Sequence, residues 1–223
     1  MERSVTVGRG IGLKRKSYIL ETLEVTKTMT LEQIADLCFS SLAPEARRVK
    51  ARKYMLDLYK EKKVARGKAV DFNGQYTYWL EDRKHRSWEQ HLWVNEVFRL
   101  FPAELKNKQL KHEFNFGNLR MDGAIRVVKD GKPYLVAIEI DNKSHEFDKV
   151  QLYNREYSAG RKIDMVIILT HRLKLVDAHI KKENSNNLNF IALRFGEVGK
   201  ICQVQLNTVV TSQISLSNGL AQI

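Results

Sequence analysis

Three carboxylates and a lysine stand close together in the middle of the chain. Asp122 lies in Arg120-Met121-Asp122-Gly123-Ala124-Ile125, and Glu139 and Asp141 alternate with apolar residues in Val136-Ala137-Ile138-Glu139-Ile140-Asp141, with Lys143 two positions further on. A charge among Ile, Val and Ala is costly to bury alone, so such groups are paired or bound to a metal ion. Side chains two apart on a strand share a face. Glu139, Asp141 and Lys143 can therefore point one way, toward Asp122 on the strand before.

The surrounding pattern says what must hold these residues. Asn118 to Val128 and Tyr134 to Asp141 read as two strands joined by a turn at Asp130-Gly131. Leu110 to Phe116 alternates into a strand before them. A helix is expected from Trp88 to Phe101, capped by Ser87 and ended by Pro102. After the hairpin come an amphipathic helix from Ser144 to Ala159, a buried strand from Asp164 to Thr170, a helix from Arg172 to Lys182, a strand from Leu188 to Phe195 and an alternating piece from Ile201 to Leu206. Two plain pairings compete with a metal site: Asp141 as the cap of the helix near Ser144, and Glu139 as a partner of Arg120 or Arg126.

The N-terminal part is different in kind. Residues 1–13 read as a flexible arm. Lys14 to Val25, a helix opening at Thr30 with Gln33 completing a capping box, and a third helix from Pro44 to Lys60 follow. Val64-Ala65-Arg66 and Tyr76-Thr77-Tyr78-Trp79 form two short strands, with Asp71-Phe72-Asn73-Gly74 as the tip between them. This is the layout of a winged helix-turn-helix over residues 14–80, whose third helix suits the major groove. Arg47, Arg48, Lys50, Arg52 and Lys53 on that helix, with Lys63, Arg66 and Lys68 on the hairpin, are the candidate DNA-binding residues. The alternative is a small helical module with a solvated basic face.

Charge supports a polyanionic partner. The chain carries +12, from 38 basic and 26 acidic residues. Residues 1–86 hold 19 basic and 11 acidic side chains, and residues 40–68 alone hold ten and three. No apolar run reaches membrane-span length and the N-terminus lacks a signal-peptide layout, so a cytoplasmic protein without a membrane partner is expected. Cys38 and Cys202 read as buried free thiols. The histidines lack zinc-ligand spacing and read as surface or packing residues, with a phosphate contact as the alternative for His145 beside Lys143.

From residue 87 the order helix, three strands, helix, strand, helix, strand, with Met121-Asp122 and Glu139-Ile140-Asp141, resembles the restriction-endonuclease-like superfamily. Within it the chain is similar to the replication-relaxation proteins of Gram-positive plasmids and mobile elements. That likeness rests on His91-Leu92-Trp93-Val94-Asn95-Glu96-Val97, Arg120-Met121-Asp122, Glu139-Ile140-Asp141 and Lys149-Val150-Gln151-Leu152-Tyr153. The resemblance implies Mg²⁺ or Mn²⁺ on Asp122, Glu139 and Asp141, with Lys143 as the lysine that positions water and balances phosphate charge. It also implies Glu96 as an extra acidic residue, and Tyr153 or Tyr157 with Lys149 or Gln151 as polar residues on the following helix. One position departs from the pattern: Asp141 stands where the superfamily places lysine. Either Lys143 substitutes, the lysine role has moved, or the site does not cut.

The fold expected is therefore α+β: a winged helix-turn-helix, a linker at 81–86, an α/β restriction-endonuclease-like domain with a mixed central sheet at 87–207, and a tail at 208–223. The function expected is that of a double-stranded-DNA-binding protein of a plasmid or mobile element, acting in replication or DNA relaxation. Replication or recombination proteins and a second copy of the chain are its candidate partners. A metal-dependent endonuclease of the transposon-end type and a transcriptional regulator with a non-catalytic second domain are the alternatives.

Overall fold

The computed structural model of the chain describes residues 3–83, 88–102, 106–142, 148–185 and 188–203, with side chains from residue 12 onward except those of 106 and 107. Lys143, His145 and the tail after residue 203 lie outside the described residues.

Helix α1 (Arg3–Thr26) begins eleven residues before Lys14, so the segment expected as an arm is helical from Arg3. Ile19 and Leu23 bury its inner side. Lys27, at φ 66°, turns the chain into strand β1 (Thr28–Thr30), which at three residues is too short to announce itself by alternation. Helix α2 (Leu31–Cys38) opens with the expected capping box: Gln33 N donates to Thr30 Oγ1 at 3.2 Å and Thr30 N donates to Gln33 Oε1 at 3.0 Å. Helix α3 (Pro44–Lys60) starts on Pro44 and buries Ala51, Met55 and Leu58 on one side. Strands β2 (Val64–Ala69) and β3 (Gln75–Leu80) complete an antiparallel sheet in the order β1-β3-β2. The turn between them packs on the C-terminal part through Phe72, whose ring lies 4.4 Å from that of Trp93. The expected tip at Asp71-Phe72-Asn73-Gly74 is thus a docked turn.

Helix α4 (Trp88–Leu100) leads to strands β4 (Lys106–Phe116), β5 (Leu119–Lys129) and β6 (Lys132–Asp141). Asp130 and Gly131, both at positive φ, make the tight turn between β5 and β6. Helix α5 (Lys149–Ser158), strand β7 (Met165–Thr170), helix α6 (Leu173–Glu183) and strand β8 (Phe190–Arg194) follow. The sheet order is β4-β5-β6-β7-β8, antiparallel through β6 and parallel from β6 to β8. The fold is therefore α+β with a mixed five-stranded sheet. Phe195–Gln203 is a run of 3-10 helix, so the described start of the alternating piece, Ile201 to Gln203, is helical turn.

The two sheet faces hold separate cores. Val94, Val97 and Phe101 beside α4 pack on Ile125, Val127, Ile138 and Ile140. Val150 and Tyr153 of α5 and Val176 of α6 pack on Ala124, Ala137, Val166 and Ile168. Because faces alternate along a strand, Glu139 belongs to the second face. Cys38 is buried and free as expected, whereas Cys202 is exposed.

Candidate functional site

Strands β5 and β6 pair from Lys129 opposite Lys132 as far as Gly123 opposite Ile138. Beyond that point Asp122 takes the place of a strand partner: its Oδ2 accepts the Ile140 N–H at 2.8 Å. Gly123, the next residue, lets α4 pack closely here, since a Cβ there would come within 2.5 Å of Val94 Cγ1. The site thus forms where two strands stop pairing and a side chain can reach between them.

Glu139 is a buried charge on the face of the second core, with a side chain 2% exposed. Tyr153 Oη donates to its Oε1 at 2.7 Å, and Lys149 Nζ lies 3.0 Å from its Oε2. Lys149 also donates to the Arg120 carbonyl at 3.2 Å. Burial pushes the Glu139 carboxyl up to about 7; Lys149 and the Tyr153 hydroxyl oppose this, while the charge of Asp122 adds to it. Burial likewise holds Asp122 above the usual carboxylate range, against the Ile140 N–H and Lys149. The Tyr153 phenol is raised well above its ordinary value, first by burial and then by Glu139. The two carboxylates thus share one neighbouring ammonium, that of the partly exposed Lys149.

Asp141 has a different job. Thr170, its register partner on β7, donates to it through Oγ1, and Arg172 grips both of its oxygens. Thr170 Oγ1 also accepts the Arg172 N–H at 2.8 Å. Asp141 therefore ties the end of β6 to the start of α6. Glu139 pairs with Lys149 rather than with either expected arginine: Arg120 lies 2.8 Å from Glu113, and Arg126 sits over the Phe114 ring. Glu96 sits apart from this cluster, on α4, where it accepts from Gln33 Nε2 at 3.0 Å and pairs with Arg99.

Among the described residues, no group of three or more His, Cys, Asp or Glu could hold a metal ion. Asp122 and Glu139 remain as a pair. Two carboxylates fit Mg²⁺ chemistry, since that ion takes one or two with water and substrate phosphate completing its shell.

The candidate DNA-binding residues divide into free-standing and engaged ones. Lys50, Arg52 and Lys53 are exposed on α3, as are Lys63 before β2 and Lys68 on it. Arg48 is exposed but paired with Glu32. Arg47 is half-buried: Nε donates to the Leu42 carbonyl at 2.6 Å, Nη2 to the Ser40 carbonyl at 2.8 Å, and Nη1 lies 3.4 Å from Asp36. Arg66 lies over the rings of Tyr59 and Tyr76, at 4.3 and 4.8 Å. Val49 and Leu56 also face solvent on α3, at 68% and 43% exposure.

A polar seam joins the two parts. Gln33 Nε2 donates to the Leu92 carbonyl at 3.0 Å, Arg99 lies 2.6 Å from Asp36, and the fully buried Asn95 donates to the carbonyls of Thr26 and Thr28. Asn95 Oδ1 is 3.0 Å from His112 Nε2 on β4. The sequence carries one usable sign of the Glu139 cage: Lys149 and Tyr153 are four apart and so share a helix face. The seam carries none, because the partners of Gln33 and Asn95 across it are 59 to 69 residues apart in the chain.

No protein-family model and no curated protein matches the chain. Two solved structures are similar in part: the restriction endonuclease FokI bound to DNA, at 14% identity and a TM-score of 0.33, and FokI without DNA, at 16% and 0.31. Each alignment covers 85% of this chain, which spans 44% of either. Among the described residues, no helix is long and apolar enough to cross a membrane.

Proposed function

We propose that the chain is a duplex-DNA-binding protein of a plasmid or mobile element, acting in replication or DNA relaxation, with a winged helix in front of a nuclease-like domain. One observation carries the DNA reading: α3 is held to its core by Ala51, Met55 and Leu58, while Lys50, Arg52 and Lys53 project into solvent on its other sides. A helix so mounted can enter a major groove without unfolding anything. The plasmid context comes from the sequence resemblance. The experiment is a binding titration of the full chain with duplex oligonucleotides over a salt series. Affinity should fall steeply with salt, by a slope of about 0.9 per phosphate contact. Binding that ignores salt would rule the reading out.

A second reading, metal-dependent endonuclease, is favoured by Lys149. The lysine that Asp141 displaced from the strand has a counterpart on α5, 3.0 Å from Glu139. Asp122 and Glu139 would hold the ion, and Mg²⁺ when bound would polarise a phosphate and acidify a water. Tyr153 fixes the rotamer of Glu139, and Lys149 offsets charge on an incoming phosphate. Plasmid nicking with Mg²⁺ or Mn²⁺, lost in Asp122→Ala and Glu139→Ala, is the expected result. An intact plasmid under both metals would leave the chain as a binding protein.

A further inference from the structure

The face of the sheet that carries Glu139 changes character from one side to the other. Ala137, Glu139, Val166 and Ile168 on β6 and β7 are buried beneath helices. The register places Arg126 beside Leu135, Ala124 beside Ala137, Lys111 beside Ala124 and Gln109 beside Arg126, so all share that face. Yet Gln109, Lys111 and Arg126 are exposed. They surround a hollow of about 220 Å³ whose floor is Ala124 and whose wall is the half-buried ring of Phe114. Lys111 Nζ lies 5.1 Å from the centre of that ring and the Arg126 guanidinium 5.7 Å. Ala124, at its floor, lies two residues along β5 from Asp122.

We propose that this β4–β5 platform binds a single strand of nucleic acid, with phosphates on Lys111 and Arg126 and a base against Phe114. The proposal rests on the DNA-binding reading above and adds a second contact surface, separate from α3. Charge argues for the occupant. Two cations flank the hollow, Lys149 continues the positive edge toward Glu139, and the acidic neighbour Glu113 is paired with Arg120 at 2.8 Å. Aromatic rings next to cations are what single strands use, because every base has a face to stack and every nucleotide a phosphate. A duplex is too wide to seat a base on Phe114 without unstacking it, which restricts the platform to unpaired nucleotides.

The test is fluorescence anisotropy with the full chain in EDTA, on a blunt duplex and on the same duplex with a single-stranded tail. The wild type should bind the tailed form more tightly. Lys111→Ala/Arg126→Ala should remove that gain, lower the salt slope on the tailed form by about 1.5 and leave blunt-duplex binding unchanged. Phe114→Ala should weaken tail binding about fivefold or more, and Phe114→Trp should retain it. Thermal melts of the exposed-residue variants should match the wild type. Equal affinity for the two oligonucleotides in the wild type, or a tail gain that survives in the double variant, would overturn the platform and leave the α3 reading standing. A wild type that binds neither oligonucleotide would defeat the DNA-binding reading itself.

Discussion

Lys149 Nζ lies 3.0 Å from Glu139 Oε2, and it arrives from α5 rather than from β6. The ammonium that the strand pattern places next to the acid in sequence is here next to it in space. Asp141, relieved of that position, is bound by Arg172 and Thr170. The geometry separates two carboxylates that the sequence shows as a unit, one facing a buried cage and one closing a strand end.

Glu139 makes stability depend on pH in a defined direction. Its carboxyl titrates at 4.5 when exposed and at about 7 in the fold, chiefly because burial disfavours the charge. Below pH 4.5 it is protonated in both states and carries no penalty. Stability should fall as pH rises through that window, by roughly 3 kcal/mol once it is complete above 7. Glu139→Gln should flatten the curve. Urea denaturation of both proteins across pH 4 to about 8 measures this, and parallel curves would assign the dependence to other groups.

Asp141 is expected to matter for folding more than for metal. Arg172→Ala leaves a nearly buried carboxylate without its main counter-charge and should cost about 1–3 kcal/mol, discounted because Arg172 is itself partly exposed. Asp141→Asn should leave Mn²⁺ affinity within about twofold, whereas Asp122→Asn should reduce it by about tenfold or more. Titration calorimetry separates the cases; equal losses in the two variants would make Asp141 a ligand.

Arg47 and Lys53 should respond oppositely to truncation. Arg47→Ala removes donors to two carbonyls and Asp36, so it should lower stability by about 1–2 kcal/mol and leave the salt slope of DNA binding alone. Lys53→Ala should do the reverse, lowering the slope by about 0.9. Melting curves and salt titrations on the same two proteins are sufficient, and a reduced slope in Arg47→Ala would return it to the DNA surface.

Gly123→Ala should cost about 1–3 kcal/mol, since its new Cβ would press on both γ carbons of Val94, at 2.5 and 3.2 Å. Val94→Ala in the same chain should recover part of that loss. Additive losses in the double variant would show that the clash is relieved elsewhere.

Periodicity and turn chemistry made much of the architecture readable. The Thr30–Gln33 box, Pro44, the Asp130-Gly131 turn and the apolar run of β7 all report local physics. β1 was hidden by its length, and the early start of α1 by glycines at positions 8, 10 and 12, which lower helix propensity without forbidding it. At the site, Asp122 and Glu139 were legible as carboxylates among apolar residues. Their partners were not: strand spacing drew attention to Asp141 and Lys143, while the cage of Glu139 is built by a helix whose entry angle no local signal encodes. Glu96 enters the candidate set only through the family resemblance, and in the fold it meets Gln33 and Arg99.

The seam at Asn95 turns the two parts of the chain into a ruler. Asn95 and Gln33 clamp α4 to β1 and α2 through backbone carbonyls, so the offset between the outer face of α3 and the Asp122–Glu139 pair is set by buried hydrogen bonds rather than by the length of the 84–87 connection. Lengthening the connection would then leave the distance between α3 and the carboxylates unchanged, because the buried hydrogen bonds of Gln33 and Asn95 would still hold the two parts in register.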